Sequence, residues 1–223
     1  MHTTHYSDND LFAFPAIMTD EPSQIARFRS GGDRALAEAM TEYAPRLQQT
    51  VKLRLDPRLS RRVDVADVLQ EAFLEARKRL PRYLQDPSVP LFVWLRGVVL
   101  ETLIDFHRRH LGAKMRDAGQ EVSSLRPLSP QATSVALAAC LAGNFTSPSQ
   151  AAIREEAAVQ IEHVLDQMDP IDREVLILRH LEELSNDEVA AVLGVKKAAA
   201  SRRYMRALTR FRAVLLAIPG FEQ

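Results

Sequence analysis

The chain has one cysteine in 223 residues, Cys140, which excludes an intramolecular disulfide and any zinc site built on several cysteines. A lone cysteine also fits a reducing compartment. Glycine is scarce: there are 8, and none lies between Gly32 and Gly97. That is about half the usual share of roughly 7% and argues against sheets joined by tight glycine turns. Charge of one sign is not in excess, with 29 basic and 29 acidic residues, so net charge names no partner. No apolar run approaches the roughly 18 residues that cross a bilayer. The opening residues lack a basic start and are interrupted at Pro15, unlike a secretory signal. Hydrophobic residues still make up 46%, enough for a real core. The chain reads as all-α and cytoplasmic, without membrane insertion.

Residues 1–24 are polar, with two prolines, and read as a flexible extension. Helical patterning starts after Gly31-Gly32 with Asp33 as N-cap, is interrupted at Pro45, and resumes to about Leu55. Val65, Val68, Leu69, Ala72, Phe73, Ala76 and Leu80 recur at three- and four-residue steps, one face of a helix that Asp64 and Asp67 open and Pro81 closes. Ser88 and Pro90 start another, with a stripe from Leu91 to Phe106, Trp94 beside it, and a basic end at His107–Arg116 stopped by Gly112. Residues 117–147 turn rich in Ser, Pro, Gln and Ala and read as a linker in which only Pro130–Leu141 has helical character. Ser147-Pro148 with Gln150 opens a helix to Met168, and Asp169-Pro170 caps the next, through about Leu181. Ser185 and Glu188 form a capping box for a short helix ending at Leu193, Gly194 is the turn, and a long helix follows from about Lys196 or Lys197 to Ala217.

Charge is distributed unevenly at the C-terminal end. Lys196–Arg212 holds seven basic residues and no acidic one, whereas Ala151–Leu193 holds eleven acidic and three basic. A short capped helix, a glycine turn and a long basic helix have helix-turn-helix spacing, with Ala190 small enough for a close crossing. Duplex DNA suits such a rod: cations release counterions from phosphates, and an α-helix fits the major groove. Ala200, Tyr204, Ala207, Leu208, Phe211 and Leu215 make the inward stripe, so Lys197, Ser201, Arg202, Arg203 and Arg206 project outward as candidate DNA contacts. The plainer alternative is a solvated basic face.

Arg108, Arg109, Lys114 and Arg116 either offset a helix dipole or touch phosphate. His107 and His110 have no carboxylate or cysteine to complete a metal site, so neither metal nor cofactor is expected. Asp67, Gln70, Glu71 and Glu75 share a polar helix face, but nothing supplies a nucleophile, a phosphate loop or a partner histidine, so no enzyme is expected.

DVADVLQEAFLEA followed by PLFVWLRGVVLETLIDFHRR resembles region two of bacterial sigma-70 family factors. DPIDREVLILRHLEELSNDEVAAVLGVKKAAASRRYMRAL resembles their region four. Two such regions with one linker are similar to the extracytoplasmic-function group, and the tract from His107 to Gln150 is similar to a planctomycete-type subgroup. The resemblance implies two small helical domains: region two over 25–116 and region four over 148–218, joined by the linker 117–147. It implies a factor that binds core RNA polymerase and directs promoter recognition, DNA opening and transcription initiation. Asp67, Gln70 and Glu71 would meet the clamp helices of the largest subunit, with Phe73 in the core. Arg108 and Arg109, backed by Lys114 and Arg116, would hold the opened minus-ten element, at an unstacking cost recovered by capturing the single strand. The last helix would read the minus-thirty-five duplex, and an anti-sigma protein is a plausible regulator.

Two departures stand out. Where the family often reads IARN, this chain has VVLE, and the acidic Glu101 would repel phosphate. The last helix starts Lys197-Ala198-Ala199-Ala200, which leaves few side chains for base readout and shifts weight to groove shape. Two rival readings remain. One is a LuxR-type regulator, whose output domain fits residues 169–208 but which usually carries a βα receiver. The other is an interaction protein that binds polymerase or an anti-sigma without using DNA.

Overall fold

The computed structural model describes residues 21–56, 58–59, 62–111, 137–138 and 151–215. Seven helices follow in order: α1 (Glu21–Arg54), α2 (Val65–Gln85), α3 (Leu91–Leu111), α4 (Ala151–Asp166), α5 (Pro170–His180), α6 (Asn186–Leu193) and α7 (Lys197–Leu215). There is no strand among the described residues. None of these helices is long and apolar enough to cross a membrane. Helices α1, α2 and α3 pack on one another; α5, α6 and α7 form a second group, with α4 against α7.

Local rules account for most boundaries. Asp64 accepts from the Ala66 amide, and Asp67 accepts from the Asp64 amide, which closes a capping box on α2. Asp169 accepts from the amides of Ile171 and Asp172 at the start of α5. Ser185 and Glu188 close the same reciprocal pair on α6. Gly194 ends α6 at φ 62°, with Val195 N–H donating to Ala190 O and Gly194 N–H to Ala191 O. That is a Schellman turn, which requires a left-handed residue.

Both prolines expected to break helices lie inside them instead. Pro45 is within α1 and Pro81 within α2, which continues to Gln85. Each is exposed, and the carbonyls they leave unpaired belong to exposed Thr41 and Arg77, where water can bond them. The break in α1 falls at Gly32, at φ 48° and ψ −127°, so Asp33 does begin a new helical stretch. The expected stop at Gly112, the Ser147–Gln150 cap, Lys114, Arg116 and most of the linker lie outside the described residues.

The core crosses between the two helical groups. Leu36, Leu47 and Val51 of α1, Val68 and Ala72 of α2, and Phe92, Leu95 and Leu103 of α3 belong to one buried cluster. Val175 and Leu178 of α5, Leu184, and Val189 of α6 join that same cluster. Phe73 packs against it, as a core position should. A second cluster unites Ile161, Leu165, Leu176, Ile177 and Ala207 with Leu137 and Ala138 from the linker tract, and Leu53 of α1 packs on it. Helix α5 is therefore buried on opposite faces, one toward each cluster.

Two glycines should respond in opposite ways to alanine. A Cβ at Gly97, inside α3, would meet nothing within 4 Å, and the same is true at Gly194. Gly97→Ala should therefore gain about 0.5–1 kcal/mol from helix propensity. Gly194→Ala should lose about 1–2 kcal/mol through its positive φ. Urea midpoints at constant m-value check both signs.

Candidate nucleic-acid and partner interfaces

On α7, Ser201 and Arg202 are exposed, and Arg202 has no ion pair among the described residues. Lys197 is exposed too, with Nζ 2.8 Å from Asp187 Oδ1. Arg206 is exposed, as the outward row expects, and Arg203 half-buried, but both are tied to one carboxylate. Arg206 donates from Nε and Nη2 to the two oxygens of Asp172 at 2.8 and 2.7 Å, and Arg203 Nη1 donates to the same carboxylate at 3.1 Å. Asp172 is buried, and the Arg206 hydrogen bonds hold its carboxyl below the usual range, with burial opposing and Arg203 adding to the effect. The pair thus ties α7 to α5. Inward positions match expectation, with Ala200 and Ala207 fully buried and Tyr204 and Leu208 partly so.

The candidate contacts on α2 and α3 also meet one another. Arg109 Nη2 donates to Glu71 Oε1 at 2.7 Å, and its guanidinium lies 4.5 Å from the Phe106 ring centroid. Residues assigned to separate DNA and polymerase faces therefore share one ion pair. Arg108 is exposed, 3.7 Å from Asp105. Gln70 is exposed, and Asp67 is spent partly on the α2 cap. Glu101 is paired with Arg79, which offsets the acidic charge that set this stretch apart. Trp94 stacks on Tyr83 at 4.5 Å between centroids. His107 is buried and accepts from the Asp56 amide at 3.1 Å, and burial lowers its pKa, so it serves as a neutral structural acceptor. No metal-binding group of three or more ligands occurs among the described residues.

The strongest electrostatic feature was not among the sequence candidates. Glu182, in the turn after α5, is fully buried. It accepts from Arg96 Nε at 2.6 Å, Arg96 Nη2 at 3.1 Å and Thr50 Oγ1 at 2.7 Å. It also pairs with Arg54, whose Nη2 donates to Glu174 at 2.6 Å. At the rim, Arg46 makes a bidentate pair with Glu188 at 3.0 and 3.2 Å and lies 3.6 Å from the Phe92 ring centroid. Every arginine here comes from α1 or α3, and every glutamate from α5, α6 or the turn between them. Arg96 carried a signal in the sequence: a lone arginine within the apolar run LFVWLRGVV must find a partner if buried.

The two central carboxylates are tuned in opposite directions. Burial pushes Glu182 up, but Arg96 and Arg54 more than reverse this and bring it down to about 2. Burial dominates at Glu174 and raises it, despite Arg54. A depressed folded pKa contributes stability above the unfolded value and loses it as pH falls. Glu182 should therefore support the fold from neutral pH to about 4.3 and lose that support toward pH 2. Glu174 has the opposite sign: its contribution is full below its unfolded value and lost as pH rises through the folded one. Glu182→Gln should cost about 3 kcal/mol at pH 7. Glu174→Gln should cost far less, and urea unfolding at pH 7 and pH 4 distinguishes the two.

Comparison with known proteins agrees with this architecture. Residues 158–211 match the family described as Sigma-70, region 4. RNA polymerase sigma factor CnrH of Cupriavidus metallidurans is 26% identical over 85% of this chain and 91% of its own length. The probable RNA polymerase sigma factor RfaY of Xanthomonas campestris is 31% identical over 67% of this chain, but only 34% of its own length. ECF RNA polymerase sigma factor SigD of Mycobacterium bovis is 27% identical over 86% of this chain and 82% of its own. The LuxR-type alternative gains no support from these relatives or from a first half that holds helices and no strand among its described residues.

Proposed function

We propose that the chain belongs to the extracytoplasmic-function group of the sigma-70 family, and from that premise its surfaces divide the work of a sigma factor. It binds core RNA polymerase and directs transcription initiation at promoter DNA. Residues 25–116 dock on the polymerase and hold the minus-ten element; residues 148–218 read the minus-thirty-five element; residues 117–147 connect them. The chain contributes no catalytic residue, since nucleotide addition belongs to the polymerase. Its place of work is the cytoplasm, and an anti-sigma protein is a fitting regulator.

The observation that carries this division is Arg202. It stands exposed and unpaired among the described residues, beside exposed Ser201, near the start of a helix held by a capped α6 and a left-handed Gly194. In a helix-turn-helix that position meets base edges or phosphates in the major groove. Lys197 joins it by releasing Asp187, an exposed pair that contributes little. Arg203 and Arg206 present their guanidinium groups from a fixed orientation set by Asp172, which favours phosphate contact over base readout. On the other half, exposed Gln70, with Asp67 and Glu71, forms the polymerase-facing patch. Arg108 and Arg109, with Lys114 and Arg116, contact the minus-ten backbone.

Run-off transcription on fragmented genomic DNA, with purified core polymerase, tests the function. Discrete transcripts that require this chain are expected; their absence together with failure to co-elute with core polymerase would defeat the reading. Arg202→Glu should abolish promoter-dependent transcripts while core affinity stays within about twofold. Gln70→Ala with Glu71→Ala should weaken core binding at least tenfold and leave duplex binding intact. Equal loss of both activities in either variant would refute the division.

A further inference from the structure

Met205 is 59% exposed, on the side of α7 opposite the fully buried Ala200 and Ala207. Ala198, Ser201 and Met205 follow at three- and four-residue steps and are all exposed, so they form one outward row. Arg202, Arg206 and Arg210, exposed as well, form a second row beside it at four-residue steps. The outward surface of α7 is therefore split lengthwise into a cationic flank and a flank of small and apolar side chains. We propose that the row Ala198, Ser201 and Met205 reads thymine in duplex DNA by apolar contact with its 5-methyl group, with Met205 as the main specificity-determining residue. The inference rests on the reading of α7 above as the helix that meets the duplex.

The two rows suit two different parts of a duplex. Arginines on phosphates release counterions and fix the register of a helix, but carry no sequence information. Arg206 is already oriented for such a contact by Asp172. With the cationic flank on the backbone, the row beside it faces the base edges of the major groove. A solitary exposed methionine is ordinary on a protein surface. This one continues a row bare of charge next to a row of arginines.

That row has little with which to hydrogen-bond a base. Ala198 offers nothing, Met205 a weak thioether acceptor and Ser201 one hydroxyl. Thr209, one turn beyond Met205, donates its hydroxyl to the Met205 carbonyl at 2.9 Å. Such a surface discriminates through the one apolar group in the major groove, the thymine methyl, which small and apolar side chains contact. Any other base would set polar edge atoms against the methionine and take them from water unpaired. Methionine is unbranched and polarizable, so it adapts to the position of the methyl group. Direct readout thus needs no long polar side chain at the alanine-rich start of α7, where Ala198 permits close approach.

The test offers a pool of random-sequence duplexes to the full chain, with core polymerase and without it. Each thymine of the enriched sequence is then replaced in turn by deoxyuridine, which lacks only the 5-methyl group. At one position or more, the replacement should weaken wild-type binding about fourfold, the effect of one buried methyl group. In Met205→Ala at least one of those positions should become insensitive, whereas Met205→Leu should remain sensitive there. Neutral replacement at every thymine, losses that all persist in Met205→Ala, or equal insensitivity in Met205→Leu would overturn the methyl readout. Failure to enrich any duplex in either arm would overturn it too. Enrichment by the chain alone, with no binding to core polymerase, would defeat the sigma-factor reading and leave the methyl readout to be decided by the same deoxyuridine scan.

Discussion

Glu182 is the carboxylate on which the relation between the two halves depends. It accepts from Arg96 and Thr50 and pairs with Arg54, and these three partners come from the other half. A buried anion of this kind is tolerated only because cations and a hydroxyl surround it; without them it would take up a proton or disfavour this packing. Apolar contact alone would hold the halves in many registers, since it is non-directional. The bidentate guanidinium contact of Arg96 selects one.

Helix α5 carries this constraint to α7. Its Glu174 faces Arg54, while Asp172, two residues earlier, binds Arg203 and Arg206 of α7. One short helix therefore positions the basic helix and meets the other half. Its buried apolar residues do the same on both sides, with Val175 and Leu178 in one cluster and Leu176 and Ile177 in the other. Any movement of α5 relative to α1 is then transmitted to the surface proposed to read DNA, through packed side chains and charge-assisted hydrogen bonds.

Much of the helical framework was legible in the sequence where the cause is local. Asp64 with Asp67, Asp169 with Pro170, and Ser185 with Glu188 are caps whose partners lie within three residues. Gly194 marks a turn because only a left-handed residue closes it cheaply. The prolines were not legible in the same way. Whether Pro45 or Pro81 stops a helix depends on whether the carbonyl it orphans is wet or dry, which is a property of the packed molecule. Charge partners were harder still. Arg206 projects outward as expected yet is also bound to Asp172, and Arg109 and Glu71, given separate tasks, bind each other.

The sequence by itself determined the helix content, the order of the elements, the helix-turn-helix near the C-terminus and the family resemblance. Those follow from periodicity, caps and composition, which act over a few residues at a time. Tertiary structure alone decided which cations remain exposed for a partner and which are consumed within the chain. It also decided that Arg54 and Arg96 meet glutamates 120 and 86 residues away. A side chain's charge is written in the sequence, but its burial and its counterion are set by what the folded chain brings beside it.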